Sequence, residues 1–196
     1  MRRVILVALL AGTTASGACS RSDASMGSAG MVDTLHSSEE SLRRFRAGLS
    51  PVESLIPAFD SKESVARAFV VAIAVNDLPA IRRTLMSSAE FAWLYYPDNP
   101  ISRPPYELPA GIAWFELEGN SLAGVRRARA TFGGRAVVYR GLDCAGVPVV
   151  QGANRLWNRC TVLLEHKNKS DTVVRLFGTI LERHGRFKLV TAANDL

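Results

Sequence analysis

Residues 65 to 75 read Val-Ala-Arg-Ala-Phe-Val-Val-Ala-Ile-Ala-Val, a run in which only Arg67 is not apolar. A helix that is hydrophobic nearly all round predicts burial at the centre of a domain. Asp60 or Ser61 is placed to cap it, and Asn76-Asp77 breaks it. Asp77 can cap a second helix with Pro79 in its first turn and Leu78, Ile81 and Leu85 on one side. Upstream, Ser37 with Glu40 makes a capping box for a short helix to Ala47, stopped by Gly48, with Leu42, Phe45 and Leu49 on its apolar side. Its Arg43, Arg44 and Arg46 read as a solvated face. Ser87 or Ser88 opens a third short helix carrying Phe91, Trp93, Leu94 and Tyr95. Two more are expected over about Ala110 to Glu118 and Ser121 to Phe132, the second with Leu122, Val125 and Phe132 inward and Arg126, Arg127 and Arg129 outward.

After residue 134 the period changes. Ala136 to Leu142, Leu156 to Glu165, Val173 to Glu182 and Phe187 to Ala192 are β-rich runs, with Leu156, Cys160, Val162 and Leu164 alternating onto one face. Helices first and an antiparallel meander afterwards predict an α+β fold, N-terminal helices packed on a C-terminal sheet.

The N-terminus reads as an address. Arg2 and Arg3, the apolar Val4 to Ala11 and the small residues Ala15 to Ala18 have the form of a secretory signal peptide over residues 1–18. Ser16-Gly17-Ala18-Cys19 resembles a bacterial lipobox, although Ser16 stands where that pattern favours leucine. The resemblance implies lipidation of Cys19 and attachment to a membrane through it; cleavage without lipidation is the alternative. By resemblance to enterobacterial sorting, Ser20 implies the outer membrane. Residues 19–36, rich in Ser, Gly and Ala, then form a flexible tether, 37–59 a short helix and linker, and 60–196 the main domain. Export to the periplasm or cell envelope makes the remaining cysteines, Cys144 and Cys160, a disulfide rather than a metal site. If they oppose each other on antiparallel strands, the hairpin centres on Gly152 with a three-residue turn, Gln151-Gly152-Ala153.

Charge adds little. The net +6 falls to +4 once Arg2 and Arg3 are removed, 22 basic side chains against 18 acidic, which speaks against nucleic acid for an exported domain. The Arg126, Arg127, Arg129, Arg135 and Arg140 patch reads as a solubilising face, with anionic headgroups or cell-wall polymers as the alternative. His36, His166 and His184 lack partners at ligand spacing, and no nucleophile elbow, zinc-protease helix or phosphate loop occurs, so no metal or cofactor is expected.

Seven of the 15 aromatics and five of the nine prolines fall between residues 91 and 115. Phe91, Leu94 and Tyr95 fit one helix face and so the core. Trp93, Tyr96 and Tyr106, with Arg103, are left as the rim of a groove for a small apolar ligand, a glycan or an envelope protein.

The long apolar helix, the Asn76-Asp77-Leu78 break and the final Gly185-Arg186-Phe187-Lys188-Leu189 together resemble the nuclear transport factor two-like cone fold over residues 60–196. Glu90 to Pro97, Arg103 to Pro109 and Asn154 to Trp157 resemble segments of uncharacterised bacterial secreted proteins or lipoproteins. The cone resemblance implies a cavity between sheet and helices, used by some members for isomerase, dehydratase or epoxide hydrolase chemistry. Asp98 beside Tyr95, Tyr96 or Tyr106 is the best acid and tyrosine pairing for such chemistry here, with Asp143 and Glu182 weaker candidates. The expectation is therefore a noncatalytic ligand- or partner-binding domain, with an isomerase- or hydratase-like enzyme as the alternative.

Overall fold

A computed structural model describes residues 36–166 and 169–196. The signal peptide, Cys19 and the tether up to residue 35 lie outside the described residues. The fold is α+β, with the helices N-terminal to antiparallel sheets.

Among the described residues five α-helices precede the sheets: α1 (Ser38–Arg46), α2 (Lys62–Ala74), α3 (Leu78–Thr84), α4 (Ser88–Glu90) and α5 (Ala110–Phe132). Side-chain oxygens cap the first four. Ser37 accepts from Glu40 N and Asp77 from Ala80 N, while Ser61 with Ser64 and Ser87 with Glu90 form reciprocal boxes. Helix α2 is one-sided rather than engulfed: Val65, Ala66, Phe69, Val70, Ala72 and Ile73 are buried, whereas Val71 and Val75 are exposed. It lies at the edge of the core, with its outer face left to solvent. The two helices expected after Pro109 are one, because Gly119 costs only about 1 kcal/mol in a helix and the turns on both sides of it are packed. That continuity turns Leu122 outward and puts Ser121 inward.

Helix α1 belongs to the same body. Phe45 meets Phe91 edge to face at 5.6 Å, and Arg46 lies 3.8 Å over the Trp93 ring while donating to Ala92 O at 2.8 Å. Only two of its three arginines face water; Arg43 and Arg44 bond Glu40 and hold that carboxyl down to about 2.

Among the described residues seven strands follow, in two sheets rather than the single meander expected. Strands β1 (Val137–Cys144), β4 (Cys160–His166) and β5 (Lys169–Val174) form a sheet in the order β1-β4-β5. Strands β2 (Val149–Gln151), β3 (Asn154–Trp157), β6 (Ile180–Arg183) and β7 (Arg186–Leu189) form the other, in the order β2-β3-β6-β7. The run expected from Val173 to Glu182 is divided between them, since Arg175 to Thr179 leave the ladder and Leu176 and Phe177 plug the core.

One long hairpin feeds both sheets. Cys144 opposes Cys160 and the two are disulfide-bonded. Nearer the tip the register moves by one, so that Gln151 pairs with Asn154 and the turn is the two residues Gly152-Ala153, not three. The shift arises where the chain changes sheet. Ala145 to Pro148 stand on one side against Trp157 to Arg159 on the other, one residue more. Gly152 takes the positive φ of +57° that a tight two-residue hairpin turn needs. A crosslink between residues 16 positions apart contributes about 3 kcal/mol in the chain-entropy model. Urea unfolding with and without dithiothreitol should therefore differ by about that amount; superimposable curves would contradict it.

Two hydrophobic clusters result. One joins α2, the C-terminal half of α5 and both sheets around Phe69, Phe177 and Ile180. The other gathers Phe91, Tyr96 and Leu94 with Phe45 and Trp114, so the aromatic segment is mainly a second core.

Candidate functional site

The elements around this second core leave an open cleft of about 530 Å³ between the α3–α4 junction and the middle of α5. Arg82 and Arg83, in the last turn of α3, stand at the mouth, where the negative end of the helix dipole favours cations. Leu85, Met86, Ile56, Pro57, Trp114, Leu117 and Leu122 supply an apolar wall, and Ser87, Ser88, Glu118 and Ser121 supply polar points.

Lys188 of β7 also lines the cleft, and behind it lies Glu90; the two side chains are each 2% exposed. Burying two charges is costly unless every bond is made. Here the bonds are made. Lys188 Nζ donates to both Glu90 oxygens at 2.8 and 2.9 Å, and to Ile56 O at 3.3 Å. Glu90 Oε1 also accepts from Ile56 N at 2.8 Å, and Oε2 from Ser87 N at 2.7 Å and Ser87 Oγ at 2.9 Å. The pair ties α4, β7 and the segment before α2 together. Its oxygens are committed to this scaffold and no tyrosine is among their partners.

The four side chains expected at an aromatic rim do not form one. Tyr96 is 1% exposed and its hydroxyl donates to Leu108 O at 2.7 Å, so it belongs to the core; burial raises its phenol above the ordinary value. Trp93 is half-buried beneath Arg46. Arg103 is exposed and donates to Pro97 O at 3.2 Å, and Tyr106 is exposed. None of the four lines this cleft or the shallow groove beside α2 formed by Ser64, Arg67, Val71 and Val75. Phe91 and Leu94 are buried and Tyr95 packs against them, as their spacing predicts, but Phe91–Tyr95 is a π-helical turn followed at once by a 3₁₀ turn, which rotates Tyr96 inward as well.

Asp98 likewise has a scaffold role. It lies 3.8 Å from Arg183, which donates to Asn154 Oδ1 at 3.0 Å, while Asn154 Nδ2 donates to Leu94 O at 2.7 Å. Its carboxyl covers the hairpin turn so closely that a Cβ on Gly152 would come within 2.3 Å of it. Glu182 accepts from Trp157 Nε1 at 2.8 Å and pairs with Arg155. Asp143 is exposed on β1. Among the described residues no group of three or more His, Cys, Asp or Glu side chains is placed to hold a metal ion, and no helix is long and apolar enough to cross a membrane.

Sequence reasoning missed Glu90, Lys188, Arg82, Arg83 and Trp114 as neighbours of one cleft. Ser87-x-x-Glu90 was available as a capping box, but nothing in Arg186-Phe187-Lys188-Leu189 marks Lys188 as the inward side chain. Comparison with known protein families, curated proteins and solved structures gives no match.

Proposed function

We propose that the chain is an exported, lipid-anchored, noncatalytic binding module of the cell envelope, and that its cleft takes an amphiphile with an apolar body and an anionic head. The observation that carries this reading is the cleft's division of labour: an apolar wall around Trp114, Leu117 and Met86, with two exposed arginines, Arg82 and Arg83, at the mouth. Its volume of about 530 Å³ suits a small ligand. Two further features support export. Cys19 follows a lipobox-like run and precedes the Ser/Gly/Ala tract, and the Cys144–Cys160 disulfide is a bond that persists in oxidising compartments. The enzymatic alternative asks for a buried acid beside a tyrosine. Glu90 spends its oxygens on Lys188, Ile56 and Ser87 instead, which favours binding over chemistry.

Calorimetric titration tests the reading with dodecyl phosphate against dodecyl maltoside, both below their micelle concentrations. Saturable binding of the phosphate is expected, weakened at least about tenfold by Arg82→Glu with Arg83→Glu, a loss of about 1.4 kcal/mol. Both arginines are exposed but sit at the negative end of α3, so the charge reversal should cost folding only roughly 1–2 kcal/mol and leave the domain folded. Equal binding by the reversed-charge variant would refute the assignment.

A further inference from the structure

The face of α5 turned away from the core is apolar where a solvated helix would be polar. Ala113, Ser121, Gly124, Val125, Ala128 and Phe132 hold the inner face. Opposite them, Ile112, Phe115 and Leu122 are 50%, 76% and 55% exposed, with Gly119 between them. The spacings 112, 115, 119, 122 are the three-four alternation of a helix-pairing seam. Gly119 leaves that ridge open at its middle, since a Cβ there would meet nothing within 4 Å.

The same helix is charged in two halves, Glu116 and Glu118 towards its start and Arg126 towards its end. Glu118 and Arg126 are about 12 Å apart along the axis, too far to pair within one helix. Arg126 has no ion-pair partner among the described residues. An antiparallel copy of α5 resolves both features at once. Setting Gly119 against Leu122 of the second copy puts Arg126 opposite that copy's Phe115 and within a turn of its Glu118. Parallel pairing would place like charges together instead. We propose that the outer face of α5 is a homodimer interface, in which two copies cross antiparallel near Gly119 about a twofold axis. Leu122 and Glu118 of this seam also border the cleft, so association is read by sedimentation and not by ligand binding.

Sedimentation velocity tests it on the full chain carrying Cys19→Ser, so that no acyl chain contributes, over a micromolar to submillimolar series. A reversible dimer is expected. Phe115→Glu should raise its dissociation constant at least roughly tenfold, as expected for a central aromatic anchor. Glu118→Arg should weaken the dimer and Glu118→Arg with Arg126→Glu should restore it, a rescue that a merely damaged fold would not show. A monomer throughout the series, or a dimer indifferent to Phe115→Glu and to the charge exchange, would overturn the proposal. So would a monomer that floats with phosphatidylglycerol vesicles through Phe115, which would make the ridge a membrane face.

Discussion

Lys188→Met should destabilise the domain by about 3–5 kcal/mol, the range for removing one partner of a buried ion pair. The loss comes from what stays behind. Glu90 would stay 2% exposed with the ammonium that balances it gone and only Ile56 N and the Ser87 donors left. A small domain's total stability is about 5–15 kcal/mol, so the variant would unfold at far lower urea. Adding Glu90→Gln should recover a large part of the loss, because the neutral amide keeps an acceptor for Ile56 N or Ser87 N without an unpaired charge. Urea denaturation of the two single variants and the double, taken as a cycle, measures this. A single variant costing less than about 1 kcal/mol would mean that Glu90 and Lys188 do not depend on each other as described.

Gly124→Ala should be nearly as severe, at about 3 kcal/mol or more, because it places a methyl group where backbone already lies. A Cβ on Gly124 would stand 1.8 Å from Ala192 O and 2.7 Å from its carbonyl carbon. The C-terminal segment is clamped at that point and cannot simply retreat. Asn194 Nδ2 donates to Gly124 O at 2.9 Å, Ser121 Oγ accepts from Ala192 N at 3.2 Å, and Arg127 donates to Asn194 Oδ1 at 3.0 Å. Relief of the clash would break these bonds and expose the Ala192 side of the core. Thermal unfolding with hydrogen exchange at Ala192 tests it: the variant should exchange there first, and an unchanged midpoint would contradict the clash.

Much of the fold was legible because local chemistry decided it. The caps are read from single residues and their spacing: Asp77 closes as expected, Ser61 and Ser87 are the caps where Asp60 and Ser88 are the alternatives, and Ser37 bonds Glu40 N while the Glu40 carboxylate goes to Arg43 and Arg44 instead of completing a box. The Cys144–Cys160 pairing is read from the cysteine count and the expectation of export, and the bond is present. What failed depended on contacts distant in sequence. Two helices are expected between Ala110 and Phe132, and packing on both sides of Gly119 keeps α5 continuous. Val71 and Val75 looked buried because the pattern of α2 cannot say which neighbours exist on each side. The hairpin register was off by one at its tip because the sheet change between Ala145 and Pro148 leaves no alternation to read. The candidate site suffered most, since Arg82, Trp114 and Lys188 are brought to one cleft by three separate elements.

The binding cleft is tested most directly by native mass spectrometry of the intact protein purified from its own host. The expected result is a population heavier by one acidic ligand of roughly a few hundred daltons, the size such a volume accommodates. That mass should leave on denaturation, unlike an acyl group on Cys19, and should be absent from the variant carrying Arg82→Glu and Arg83→Glu. A protein that carries no releasable mass and takes up none from its host's lipid extract would contradict the account.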